Sequence, residues 1–382
     1  MHRIPIRPEV LTWAVERSGS TAQILNERFP ALPEWLAGTT YPTLRQVEAF
    51  ARATGTPLGF LFLPSPPPDA LGIPYYRTLR DRDMVHPSAD LVATVHAMEA
   101  RQDWFREYLV AMGNDPLNVP APSVNSVDAA RKVRAMLNLP DQWAEQQPSS
   151  EAAVRTLKLA SERAGIMVVI NGIVGNNTHR VLHPEEFRGF VLVDDHAPLI
   201  FVNGSDAKPA QLFTMAHELA HIIYRKSAAF DLRDFVPAED PVERLCNQAA
   251  AEFLVPQDKF LDGYRSTEAT YDSLQASARH FRVSVMVVLR RALELQVIDQ
   301  ARFWDLVETH RRSMQDRPSR RGDGGGDYYK NQDYRIGRPF FGAVARATQE
   351  GSLPLLEGYR LTGLWWRAFE RYASLLASEG AL

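Results

Sequence analysis

Cysteine is almost missing from this sequence: Cys246 is the single one among 382 residues. No intramolecular disulfide can form, and a metal cluster built on several thiolates is excluded. Also lacking is any run approaching the ~18 apolar residues of a transmembrane helix. The opening segment, MHRIPIRPEV, has no long apolar stretch of the secretory kind. Nor does one charge dominate. Lys plus Arg is 43 and Asp plus Glu is 46, a formal net charge of −3, which argues against a polyanion binder acting through the whole chain but leaves room for a local basic face. Together these absences predict a cytoplasmic chain with no membrane partner.

What is present suits a globular protein. Hydrophobic residues make up 45% and charged residues 23%, enough to bury a sizeable core, and the length predicts roughly two to four domains. Residues 1–65 carry four short helical patterns: Pro8 to Arg17, Ala22 to Arg28, Leu32 to Ala37, and Thr43 to Thr54, the last stopped by Gly55. A Pro-rich stretch, Pro64 to Pro68, then reads as extended. Residues 66–150 are expected to be a helical connector. Residues 151–310 mix short β-type runs (Ile166 to Ile170, Phe187 to Val193, Leu199 to Asn203) with further helices, and the last two runs read as a hairpin. Ser313 to Asp327 is rich in Gly, Arg and Asp, so residues 311–327 read as a linker. Residues 328–382 form a small helical end, in which Trp365, Trp366, Phe369 and Tyr372 fall at helical spacing and are expected in a core. The fold class is therefore mainly α, of the α+β kind, with a small β-sheet.

The strongest chemical signal is His217-Glu218-Leu219-Ala220-His221. Two His at i and i+4 lie on one helical face, so both imidazoles can reach one Zn²⁺ at about 2.0–2.1 Å. Glu218 projects beside them and can take a proton from a water that the metal activates. A catalytic zinc needs a third protein ligand. The helix from Val242 to Val255 offers Glu243 and Glu252, which face nearly opposite sides. Spacing alone does not choose between them. Asp240 and Glu239 are weaker candidates, and Cys246 reads as a small buried residue. Tyr224, Arg188, His183 and His196 are candidates for stabilising an oxyanion. The Phe187–Asn203 hairpin is expected to present an edge strand for an extended substrate.

The run Phe213 to His221, followed by Glu243-Arg244-Leu245-Cys246-Asn247 and Glu252-Phe253-Leu254-Val255-Pro256, resembles the ImmA/IrrE family of zinc metallopeptidases over about residues 150–300. The resemblance implies a zincin-like core, zinc as cofactor, and His217, His221 and Glu243 as its ligands. Glu218 is then the general base and Glu252 a supporting residue. It also implies a protein substrate, either a repressor, an antitoxin or the product of an adjacent gene, whose cleavage releases stress-response or mobile-element genes. The alternative is a transcriptional regulator or antitoxin-like binding protein with a structural or vestigial zinc site.

Trp35 to Ala51 resembles the end of Cro/repressor-type helix-turn-helix domains. However, the helix at the recognition position has Pro33 and Glu34 and no Lys or Arg, and residues 1–65 carry 6 Arg and 5 Glu. So small an excess predicts weak DNA contact at most; docking a partner or forming a homodimer is the other role open to this bundle. A second basic stretch, with Arg279, Arg282, Arg290 and Arg291, reads as a helical hairpin over residues 270–300, more a packing element than a DNA reader.

Overall fold

The computed structural model describes residues 3–18, 22–67, 87–123, 125–226, 228–230, 240–264, 268–315 and 328–380. The described residues form two compact units, one up to Ala97 and the other from Met98 onward.

In the first unit lie α1 (Pro8–Arg17), α2 (Ala22–Arg28), α3 (Leu32–Leu36) and α4 (Leu44–Thr54), then a 3-10 turn at Leu58–Phe62. The expected breaks are built locally. The Thr43 side chain caps α4 while Gln46 reaches back to the Thr43 N–H at 2.8 Å. Gly55 ends the helix in the left-handed region at φ 62°. Val10, Leu11, Ala14, Leu32 and Val47 are buried, and Phe50 meets Phe29 and Trp35 edge-on with ring centroids 5.7 and 6.4 Å away.

The second unit is organised around a sheet. Helices α5 (Ala89–Ala111), which belongs to this unit from Met98 onward, α6 (Ser126–Leu137) and α7 (Ser150–Arg163) precede it. The strands are β1 (Met167–Asn171), β2 (Ile173–Val174), β3 (Asn177–Val181), β4 (Gly189–Leu192), β5 (Leu199–Asn203) and β6 (Ala228–Phe230). Four of them form a sheet in the order β1-β5-β4-β6, with β2 and β3 as a separate ribbon. β1 and β5 run parallel, while β4 is antiparallel to both β5 and β6. Every residue of β1, β4 and β5 is buried, which is why they read as continuous apolar runs rather than alternating ones.

Helix α8 (Lys208–Tyr224) packs on β4 and β5, and α6, α7 and α9 (Pro241–Leu254) pack on it. Then come α10 (Gln257–Tyr264), α11 (Tyr271–His280), α12 (Val285–Glu294) and α13 (Gln300–Gln315). The chain closes with α14 (Tyr328–Arg335), α15 (Arg338–Gln349), α16 (Leu355–Thr362) and α17 (Arg367–Ser378). No helix among the described residues is long and apolar enough to cross a membrane.

Three expectations are corrected. The Phe187–Asn203 hairpin offers no open edge, because β6 returns after α8 and takes the free side of β4. Residues 311–315 of the expected linker complete α13, and Tyr271 Oη holds Ser313 Oγ at 2.9 Å; residues 316–327 lie outside the described residues. Phe369 and Tyr372 are core residues, but Trp365 and Trp366 are 59% and 66% exposed, since α17 begins only at Arg367 and the helical spacing does not extend back to them.

Candidate metal centre

The centre is made where α8 and α9 cross. α8 has Pro209 in its first turn and is buried almost throughout from Gln211 to Ile223. α9 starts at Asp240, whose side chain accepts from the N–H groups of Val242 at 2.7 Å and Glu243 at 3.3 Å. Small residues at the crossing, Ala220 on α8 with Cys246 and Ala249 on α9, let the two helices approach closely.

That approach brings His217, His221 and Glu243 into one cluster of potential metal donors. The two Nε2 atoms are 2.9 Å apart. Glu243 Oε2 lies 3.2 Å from His217 Nε2, and Oε1 lies 3.2 Å from His221 Nε2. Ligands of a tetrahedral zinc at about 2.0–2.1 Å stand about 3.3 Å from one another, so the cluster has the dimensions of a zinc site. Its chemistry fits as well: two imidazole nitrogens and a carboxylate oxygen, donor types that zinc takes, converge in a buried space.

Charge states follow from burial. His217 is pushed down to about 4, chiefly by desolvation, against which the Glu243 carboxylate works. Burial by itself would raise Glu243, but hydrogen bonds and charge from the two histidines outweigh it and hold this carboxyl well below the usual range. A neutral ring and an ionised carboxylate are the forms that bind metal. Glu218 behaves oppositely. It is fully buried, neither carboxyl oxygen has a hydrogen-bond partner among the described residues, and desolvation, with the nearby Glu243 charge, raises it well above the ordinary value.

The other candidates are placed elsewhere. Glu252 pairs with buried Arg291 and accepts from the Gln257 N–H at 3.3 Å. Cys246 is buried between the helices, its thiol pushed well up by desolvation, and Asp240 is the cap of α9. Glu239 lies outside the described residues. Tyr224 packs beside Cys246, where burial pushes its hydroxyl up to about 12. Arg188 pairs with Asp206 at 3.1 Å. His183 is exposed, and the His196 N–H is bound by Asp194. The basic face expected over residues 270–300 is also broken up. Arg291 points into the core, and the Arg282 Nε donates to the Gln147 carbonyl at 2.7 Å.

One contributor was not visible in the sequence. Gly189 on β4 lies directly under α8 (an added Cβ would meet Thr214 Cγ2 at 2.5 Å). An isolated Gly in an apolar run marks a close approach, but not what approaches.

Compared with known proteins, residues 336–374 match a domain of unknown function, DUF8813. No curated protein matches the chain. Residues 161–293, which carry His217, Glu218, His221 and Glu243, match the Peptidase_M78 family, the IrrE N-terminal-like domain, and this likeness supports a metallopeptidase-type function for that part of the chain.

Proposed function

We propose that the protein is a zinc-dependent, site-specific endopeptidase acting on a regulatory protein: a repressor, an antitoxin or the product of a neighbouring gene. The observation that carries this reading is Glu218. A fully buried carboxyl without a hydrogen-bond partner among the described residues is costly, and a purely structural three-ligand site has no use for it. A general base has.

His217, His221 and Glu243 would hold the zinc, which when bound supplies Lewis acidity toward a peptide carbonyl and an attacking water. Glu218 takes a proton from that water and returns it to the departing amine. The raised proton affinity of Glu218 suits the second half of that exchange. An extended substrate would add its backbone to the outer edge of β6. Phe230 of β6 is in register with Gly189, and the Gly189 Cβ position is 3.3 Å from Glu218 Oε1, so this edge leads toward the base. We read the N-terminal bundle as a helix-turn-helix-type docking module with weak DNA contact. Its short α3 carries Glu34 and no basic residue.

The alternative, a regulatory binding protein with a structural zinc, is favoured by one observation: the donors His217, His221 and Glu243 are all buried. Co-expression with the adjacent gene's product separates the two readings. A single cut in that product, made by wild type and absent with Glu218→Gln, is expected and is read by intact mass. An uncut product that co-purifies equally with both forms, together with a salt-dependent specific DNA shift, would establish the alternative.

A further inference from the structure

A groove of about 370 Å³ runs along α17, lined by Phe369, Glu370, Ala373, Ser374 and Ala377 of that helix and by Leu355 of α16. The α17 positions recur at helical spacing and so share one face. At 1.5 Å per residue, Phe369 to Ala377 spans about 12 Å, a little over two turns. Large apolar side chains stand exposed beside this groove: Leu355 and Leu356 at the start of α16, and Trp365 and Trp366 just before α17. The Tyr359 ring joins the two sets, one turn past Leu355 and with its centroid 5.8 Å from that of Trp365. The indoles are displayed at a cost. Trp366 has φ 35° and ψ −107°, a region that bulky L side chains rarely enter, and such strain persists only where the surroundings impose it. Here they do. Arg101 donates to the Thr362 carbonyl at 3.5 Å, the Asn176 amide donates to the Gly363 carbonyl at 2.8 Å, and Leu364 is fully buried. The charges nearby are cationic at the indoles. Arg360 is 67% exposed and meets Glu357 at 3.6 Å. Arg367 is exposed, has no ion-pair partner among the described residues, and opens α17, where a cation opposes the helix dipole.

We propose that this face is the docking groove for an amphipathic helix of a partner protein, about three turns long, whose apolar side chains enter the groove beside Trp365 and Trp366 and whose acidic end lies over Arg360 and Arg367. Trp, Tyr and Arg are the residue types that carry most of the energy of protein interfaces. The groove supplies the apolar floor that a helix needs at successive turns, and the two arginines set the sign of its end. A nucleic-acid strand fits less well. It needs a continuous positive track for its phosphates, whereas the groove is lined by Glu370 and by no Lys or Arg. The proposal does not depend on the metal centre, so it stands or falls separately from the peptidase reading.

The test pans a display library of random 16-residue peptides on the full chain carrying Glu218→Gln, which leaves bound peptides uncut. Enriched peptides are expected to repeat apolar residues at i, i+3, i+4 and i+7, to carry Asp or Glu at one end, and to gain helical circular dichroism on binding. Their affinity should fall about thirtyfold or more when Trp365→Ala and Trp366→Ala are combined, and again when Ala373→Arg fills the groove. Arg367→Glu should reverse the preference for an acidic end. Peptides that bind these variants as well as the parent would overturn the proposal, as would a panning that enriches none. If the double tryptophan variant does not fold, unchanged affinity in Ala373→Arg overturns it. Two results would install another occupant and overturn it equally: binding of a 20-nucleotide oligo-dT strand that is lost in the double variant, or a dimer of the chain in sedimentation that the double variant dissolves.

Discussion

The Cβ position of Gly189 lies 3.3 Å from Oε1 of Glu218. Strand β4 and helix α8 are thus in backbone-to-side-chain contact at the point where the base sits. The same position is 2.5 Å from Thr214 Cγ2 and 2.7 Å from the Phe201 carbonyl, so a methyl there has nowhere to go. Gly189→Ala is expected to destabilise the chain by about 1–3 kcal/mol through overpacking and to displace Glu218. Thermal unfolding with and without zinc checks it. An unchanged melting temperature would mean that α8 shifts freely on the sheet.

The two glutamates of α9 are predicted to fail in different ways. Glu243→Ala should lose zinc, as should His221→Ala, while Glu218→Gln should keep it. Glu252→Ala should instead take one of two carboxylates from buried Arg291, which keeps Glu294 and the Val255 carbonyl, at a cost of about 1–3 kcal/mol, with zinc still bound under conditions where the protein stays folded. Metal analysis paired with denaturant unfolding separates them, and zinc loss in Glu252→Ala at full stability would reverse the assignment.

His217 should remain a competent ligand at more acid pH than an exposed histidine would. A free imidazole takes up its proton near 6.5, whereas burial holds His217 at about 4. Protonation competes with metal, so binding to His217 is full above that value and lost as the pH falls through it. The His217 ring is expected to stay neutral down to about pH 5 and to protonate below that. A His217 imidazole NMR signal that titrates near 6.5 would show that it behaves as an open residue.

Arg101 fastens the C-terminal helices to α5. Its guanidinium is buried and donates to the carbonyls of Leu361 at 2.8 Å, Arg335 at 2.9 Å and Thr362 at 3.5 Å, the chain ends of α14 and α16, where a cation is favoured. Desolvation lowers it to about 10, so it remains charged at neutral pH. Arg101→Met should remove about 3 kcal/mol by leaving those carbonyls unpaired. Hydrogen exchange should then rise first in α14 to α17. Uniform exchange across the second unit would argue that these helices are not held by this contact.

Local chemistry alone determined much of this protein. The i, i+4 spacing of His217 and His221, the helix start at Thr43 and the stop at Gly55 are properties of a few neighbouring residues. So are the apolar runs of β1, β4 and β5, and all were legible in order along the chain. What brought Glu243 rather than Glu252 to the histidines was tertiary. Both lie on one helix, on nearly opposite sides, and only the packing of α9 on α8 and of Arg291 against Glu252 decided which side faces inward. β6 escaped notice because Ala228-Ala229-Phe230 has no alternation of its own and becomes a strand only by pairing with β4. Trp365 and Trp366 kept a helical spacing that the backbone does not follow. Sequence spacing fixes which side chains share a face; which face meets which is set by burial and shape when the elements pack.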